Sequence, residues 1–557
     1  KNDLLILIQK HVLVNAIEHD GKAQVQAVLG KVIAERPELK IKIKKIIPEV
    51  RRMVKRINSL SLKSQEIQLK KLGVEIRKER VKEKMELPEL PNAEAGNVVM
   101  RLAPFPSGPL HIGNARMIIL NDEYVKKYKG KLLLIIDDTI GSEEKFILPE
   151  AYDLILDGLK WLGVKYHKVL YKSDRLNLFY NFIKELIKKK FAYVCECDVK
   201  TLRKNRAEGI VCNHRQQDTE ENLEKWSLML KGKYKEGEAI VRLKTDMKHP
   251  NPAFRDRVLA RIVERKHPRV GKKYVCWPLL EASWALDDHL LGITHIIRGK
   301  DLMIEDMMEE FIWDAMGWKK SNIVHYGTLN LEGLKLSKTE ARKSIEKKVY
   351  TGWEDPRTWS LQSLRKRGIQ PEAIRKFIFN LGLSLADITV PTEILYAENR
   401  KIIDPLANRY FAVLDPVKIS VKNPPKIKET EVPFHPDFPE KGKRKIPVDV
   451  EKIYVERDDL KKYENEEIGL INLFSIRLRE KAEFISEKIK FEVQKIHWVS
   501  EPNVKIKIVM PDGSTREALA EPEIKNVKVD QLTQLQRIGF CRVDSMAPEL
   551  VLYFSHK

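Results

Sequence analysis

Cysteine is scarce, with five in 557 residues, which excludes a disulfide-framed scaffold and predicts a reducing, cytoplasmic setting. Long apolar runs are missing too. The longest purely aliphatic stretches, residues 4–8 and 132–136, fall far short of the roughly 20 residues that cross a bilayer. The first has neither a basic leader nor a small-residue cleavage site, so no signal peptide is predicted. Acidic charge is in deficit, with 80 Asp and Glu against 102 Lys and Arg, a net +22 and a pI near 9.4. Such a balance suits a polyanionic partner, either nucleic acid or a membrane surface. No repeat of solenoid length occurs. Against these absences, 43% hydrophobic and 33% charged residues permit sizeable cores and exclude global disorder, and the length predicts three or four domains.

Residues 1–96 read as a helical region and a linker. Asn2 or Asp3 is placed to cap a first helix with Leu5, Ile8, Val12 and Ala16 on its apolar face, ending near Asp20-Gly21. A second helix carries Val25, Leu29 and Val32 and stops before Pro37. Residues 40–57 are rich in Lys and Arg, either a solvated face or a contact for RNA or protein. Leu87-Pro88-Glu89-Leu90-Pro91-Asn92 has two prolines and no apolar period, and reads as a linker. A strand at 98–102, a Pro- and Gly-rich turn, a helix from about Gly113 to Tyr128 and a strand at 131–136 follow. Strands alternating with helices predict a parallel α/β sheet, with ligands beyond the strands' carboxyl ends, where the turn and Asp137-Asp138 lie. From about Ile402 the pattern changes to short alternating runs, such as residues 505–510 before Pro511-Asp512-Gly513, which predicts all-β barrels.

The densest chemistry lies in Arg101-Leu102-Ala103-Pro104-Phe105-Pro106-Ser107-Gly108-Pro109-Leu110-His111-Ile112-Gly113-Asn114. Gly108 and Pro109 allow a tight turn, and Gly113 lets a phosphate approach the helix start. His111 and Asn114 can donate to phosphoryl oxygens, while on its own His111 could equally be a helix cap. This block resembles the HIGH signature of class I aminoacyl-tRNA synthetases, and more closely the glutamyl-tRNA synthetases, with Asn114 where the family usually has a second His. Gly333-Leu334-Lys335-Leu336-Ser337-Lys338-Thr339 resembles the KMSKS loop. Alone it would be an ordinary solvated loop; after the His block it supplies mobile ammonium groups for a triphosphate losing pyrophosphate. The run from Asp287-Asp288-His289 to Arg298-Gly299 is similar to a third family block.

The resemblance implies a fold and a reaction. The fold is a helical N-terminal region, a Rossmann-type catalytic domain with an acceptor-stem insert, a helical connection, and all-β anticodon-binding barrels. Boundaries are expected at 1–96, 97–194, 195–275, 276–345, 346–402 and 403–557. The reaction is ATP- and Mg²⁺-dependent ligation of glutamate to tRNA through glutamyl-adenylate. Catalysis falls to His111, Asn114, Lys335 and Lys338, and ATP binding to His111, Gly113, Asn114, Ser337 and Lys338. Arg101 would take the γ-carboxylate of glutamate, Asp137 the α-ammonium and Arg298 the α-carboxylate, with Ala103 beside them; glutaminyl enzymes commonly show Pro at Ala103's position. The family's R-[IF]-[ED]-D-T-[DN] reads Ile135-Ile136-Asp137-Asp138-Thr139-Ile140 here.

Cys195-x-Cys197 and Cys212-x-His214 bring three of the five cysteines and a His within twenty residues. Tetrahedral zinc takes such ligands, and four of them make a structural site; free thiols in an RNA-contacting insert are the alternative. Arg365, Lys366 and Arg367 suit tRNA phosphates or simply an exposed amphipathic helix. The stretch Asp404-Pro405-Leu406-Ala407-Asn408-Arg409 resembles the β-barrel of glutaminyl and archaeal glutamyl enzymes, and Arg409, Tyr410, Phe411, Arg537 and Arg542 are candidate anticodon contacts. The partners implied are tRNA-Glu and tRNA-Gln, with a tRNA-dependent amidotransferase and no membrane. A glutaminyl-tRNA synthetase, a non-catalytic tRNA-binding protein and a small-molecule nucleotidyltransferase are the competing readings.

Overall fold

The computed structural model describes residues 2–18, 21–36, 38–39, 43–72, 86–141 and 146–557. It divides into two compact units, residues 1–86 with 490–494, and residues 87–489 with 495–557.

The first unit is helical: α1 (Asn2–Glu18), α2 (Val25–Glu35), α3 (Ile43–Asn58) and α4 (Leu62–Lys71). Its core gathers Ile8, Val12, Leu13, Ala16, Val28, Leu29, Val32, Val50 and Ile57, the apolar stripes that helical periodicity marks. Two positions differ from the sequence reading. Leu5 is 38% exposed while Leu7 is buried, and Val28 rather than Val25 is fully buried. Periodicity gives the angle of a side chain, not how far along the helix its neighbours reach. Asp3 lies inside the first turn of α1, not at a cap. Asp20, Pro37 and residues 40–42 lie outside the described residues, and so does that part of the expected helix ends and basic stretch. The rest of that stretch forms α3, with Val50, Val54 and Ile57 buried and Arg51, Arg52, Lys55 and Arg56 exposed.

The second unit opens with a strap. Residues 87–92 have neither helix nor strand, yet Leu87 and Leu90 are buried in the α/β core, and the Leu90 N–H donates to the Tyr128 hydroxyl at 2.9 Å. The expected linker is therefore packed, because its two leucines cover the end of the following helix. Strands β1 (Val99–Leu102), β2 (Lys131–Ile136) and β3 (Lys168–Tyr171) form a parallel sheet in that order, with Arg101 opposite Leu133. Helix α5 (Ile112–Lys127) makes the crossover from β1 to β2. An antiparallel sheet interrupts this pattern: β4 (Ala192–Cys195), β5 (Ile240–Leu243), β6 (Val258–Ile262) and β7 (Cys276–Pro278). The parallel architecture then resumes with β8 (His295–Gly299) and β9 (Asn322–Tyr326). The Thr294 N–H donates to the Val99 carbonyl at 2.9 Å and draws β8 beside β1. Chain order thus reverses between β1 and β8, and the crevice beyond the strands' carboxyl ends at such a reversal is where open α/β sheets hold ligands.

Within residues 408–489 and 495–556 lie two seven-stranded sheets, each around its own core, and a two-stranded sheet pairing Glu429–Pro433 with Lys443–Pro447. The predicted hairpin is present as Val504–Val509 paired antiparallel with Thr515–Ala520, with Ile506, Ile508, Ala518 and Ala520 buried. Helical N-terminal region, α/β catalytic region and barrel-like C-terminal sheets agree with the fold class read from the sequence. Among the described residues, no helix is long and apolar enough to cross a membrane.

Candidate active site

His111 is the N-cap of α5, with extended backbone at φ −122° and ψ 173°. Its Nδ1 accepts from the Gly113 N–H at 3.1 Å, and its own N–H donates to Asn114 Oδ1 at 3.1 Å, a reciprocal capping box. Desolvation and the nearby Lys338 ammonium push the imidazole down to about 3, so the ring is neutral at pH 7. With Nδ1 accepting, its proton sits on Nε2. The cap uses Nδ1, which leaves the Nε2–H on the opposite side of the ring as a donor. Asn114 contributes through its oxygen to the cap, which leaves its amide N–H groups as the donors the sequence reading calls for.

The preceding turn is braced from behind. Gly108 has φ +150°, and a Cβ there would lie 2.9 Å from the Trp353 ring. The Leu361 N–H donates to the Leu110 carbonyl at 2.8 Å, and the Ile112 N–H to the Trp359 carbonyl at 3.2 Å. Residues 353–361, read from sequence only as part of a helical connection, thus seat the signature turn. Across from it, Ser337 caps the helix Lys338–Glu346 by accepting from the Glu340 N–H at 3.2 Å. Lys338 Nζ donates to the Gly108 carbonyl at 3.4 Å, and desolvation lowers its ammonium to about 8. Lys335 stands exposed, paired with Glu340 at 2.6 Å. The two signature blocks, more than two hundred residues apart in sequence, meet at the start of α5.

Arg101, Asp137 and Arg298, expected to hold glutamate, come together around Trp284. Arg101 on β1 is buried and grips Asp288 with two N–H groups, Nη2 to Oδ2 at 2.7 Å and Nε to Oδ1. Asp137, following β2, accepts from Thr139 Oγ1 at 3.0 Å, Lys172 Nζ at 3.2 Å and Trp284 Nε1 at 3.1 Å. Arg298 on β8 pairs with Glu309 at 2.9 Å and with Asp306; burial pushes the Glu309 carboxyl up to about 7. Ala103 is half-buried just past β1. Lys172, Trp284 and Glu309 escaped the sequence reading because they lie in no signature block; only the tertiary fold puts them here.

Residues 97–405 match the family described as tRNA synthetases class I (E and Q), catalytic domain, and residues 407–494 and 495–544 match its two anticodon-binding domains. The Glutamate--tRNA ligase of Thermococcus onnurineus is 43% identical over 573 residues, covering 99% of both chains. That of Pyrococcus furiosus is 43% identical over 99% of both, and that of Methanothermobacter marburgensis 40% identical over 99% of both. The chain belongs to the archaeal-type glutamate–tRNA ligases.

In this class I synthetase the expected metal ligands do converge. Cys195, Cys197, Cys212 and His214 have ligand atoms all within 4.8 Å of one another. Cys195 and Cys212 Sγ are 3.9 Å apart, and His214 Nδ1 lies 3.4 Å from Cys197 and 3.9 Å from Cys195. Tetrahedral zinc with bonds of about 2.3 Å to sulfur sets its sulfurs roughly 3.8 Å apart, so the donor set fits. Arg242 Nη1 sits 3.9 and 3.8 Å from the Cys195 and Cys212 sulfurs, a cation where thiolates would gather.

The tRNA-facing expectations divide. Arg365 pairs through two N–H groups with Asp157 at 3.0 Å, and Lys366 pairs with Glu354 at 3.1 Å. Arg367 is buried, donating to the Phe554 and Ser555 carbonyls and the Tyr396 hydroxyl, so it has no exposed group for a phosphate. Its charge, read as a surface feature, serves inside the fold. In the C-terminal sheets Arg409 and Arg537 line one cavity of about 340 Å³ with Gln534, while Tyr410 and Phe411 are core residues. Arg542 is tied to Asp530 and Asp544 elsewhere.

Proposed function

We propose that the synthetase activates glutamate with ATP and transfers it to the terminal adenosine 2′-hydroxyl of both tRNA-Glu and tRNA-Gln. The observation that carries the chemistry is the meeting of His111 Nε2–H, the α5 amino end and the Lys338 ammonium around one turn. In the first step the glutamate α-carboxylate attacks the ATP α-phosphorus in line and pyrophosphate leaves. His111 and Lys338 donate to the oxygens on which charge accumulates, and no covalent enzyme intermediate forms. In the second, the 2′-hydroxyl attacks the activated carbonyl and AMP departs. ATP enters as its magnesium complex, the ion being held chiefly by phosphate oxygens.

Arg101 retains an Nη1 edge for the γ-carboxylate, a charge-assisted fork that an amide does not match. Asp137 has three donors on its two oxygens and room for a further one from the α-ammonium. Zinc at Cys195, Cys197, Cys212 and His214 is structural: four protein ligands leave no open position. The cavity of Arg409, Gln534 and Arg537 is the candidate pocket for an anticodon base. A glutamate-type Arg101-Leu102-Ala103-Pro104 site joined to β-barrel anticodon domains supports charging of both tRNAs, with Glu-tRNA-Gln passed on to an amidotransferase. Pyrophosphate exchange followed by charging of purified tRNA-Glu and tRNA-Gln with labelled glutamate or glutamine tests this. Glutamylation of both tRNAs is expected; glutamine transfer, or a preference for tRNA-Glu above about a thousandfold, near the ~4 kcal/mol that two base contacts can supply, overturns it.

A further inference from the structure

The helix Leu280–Leu290 sets Ser283, Trp284, Asp287 and Asp288 on one face, since positions three and four apart share a side of a helix. Trp284, 6% exposed, is the hub of that face. Its ring lies 4.8 Å from the Arg101 guanidinium, 5.0 Å from that of Arg298 and 5.1 Å from the Lys172 ammonium. Its Nε1–H donates to Asp137 Oδ2 at 3.1 Å. One indole thus touches each charged residue assigned to glutamate: two through its π system, which attracts cations within about 6 Å, and the third through its single N–H.

We propose that Trp284 is the positioning residue of the amino-acid site, setting the spacing between the cations that read the carboxylates and the anion that reads the ammonium. This rests on the glutamate-site reading above. An indole suits the task because it is rigid and carries both an electron-rich face and a directional donor. Lys172 completes the frame, bonded to Ser283 Oγ at 2.7 Å and to Asp137. Removing only the N–H frees Asp137 to turn toward Lys172 while the cations keep their platform, so the ammonium end of the site should loosen and the carboxylate end should not.

The test compares glutamate with glutarate, which has both carboxylates and no ammonium, by calorimetry on Trp284→Phe and on protein carrying benzothienylalanine at 284, which replaces N–H by sulfur with little change of shape. Expected are a tenfold or greater loss of glutamate affinity, glutarate affinity within twofold of wild type, ATP affinity unchanged, and kcat for pyrophosphate exchange within threefold at saturating glutamate. Equal weakening of both ligands, or of neither, overturns the proposal. The underlying site reading fails separately: Arg101→Ala would then bind both ligands as wild type does.

Discussion

Lys338 sits beside the Gly108 carbonyl with its ammonium held down to about 8 by desolvation, while the neighbouring His111 is held neutral to about 3. The two groups predict a one-sided pH profile. Lys338 is charged below its pKa and uncharged above it, so kcat/KM for ATP should be flat between pH 5 and 7 and fall as pH rises through about 8. Lys338→Arg, whose guanidinium stays protonated beyond about pH 12, should remove the falling limb. A wild-type limb that persists in that variant would assign it elsewhere. At this scale the sequence was informative about residue type and silent about partners. Arg101, Asp137 and Arg298 are legible from their blocks, but Asp288 on the helix Leu280–Leu290, Lys172 just after β3 and Glu309 on the helix Met303–Met316 become their counter-charges only because those elements converge on β1, β2 and β8.

The start of α5 joins stability and activity in opposite directions. A Cβ at Gly113 would lie 2.9 Å from His111 Cε1 and 3.0 Å from Nδ1, the atom that caps the helix. Replacing a helical Gly by Ala favours the helix by up to about 1 kcal/mol, yet here it would displace the imidazole. Gly113→Ala should therefore melt no lower than wild type by more than a few degrees while exchanging pyrophosphate at least tenfold more slowly. Unchanged exchange would show that the His111 ring need not hold this position. The cysteine–histidine cluster belongs to the element scale too, since it brings together the end of β4 and the turn at 212–216. Elemental analysis should find one zinc per chain, lost in Cys195→Ser with Cys212→Ser, with weaker tRNA binding. Metal-free wild-type protein of full tRNA affinity would make the cluster a set of thiols. The paired spacing was readable; that Arg242 from β5 faces two of the sulfurs was not.

At the scale of the molecule, Arg367 ties the helical connection to the last barrel strand. Its guanidinium bonds the Phe554 and Ser555 carbonyls and lies 5.1 Å from the Trp359 ring, whose backbone carbonyl accepts from Ile112 in α5. Hydrogen bonds from a charged donor are each worth about 1.5–3 kcal/mol, so Arg367→Ala should destabilise the fold by several times kT, read as a lowered denaturation midpoint. The salt dependence of tRNA binding should stay unchanged, because no phosphate contact is lost. A shallower salt slope in that variant would restore Arg367 to the tRNA surface.

The sequence alone determined the order of the parts: helices first, then strands alternating with helices, then short alternating strands, with both signature loops and the paired Cys and Cys/His spacing in place. Periodicity and turn chemistry are local, so they can be read along a chain. It did not determine which charges face solvent. Arg367 stands in sequence beside Arg365 and Lys366 and reads like them as a surface cation, yet it is buried, as are Arg101 and Arg298. Only tertiary packing supplies the carboxylates, carbonyls and aromatic faces that make a buried guanidinium affordable, and those partners lie far away in the chain.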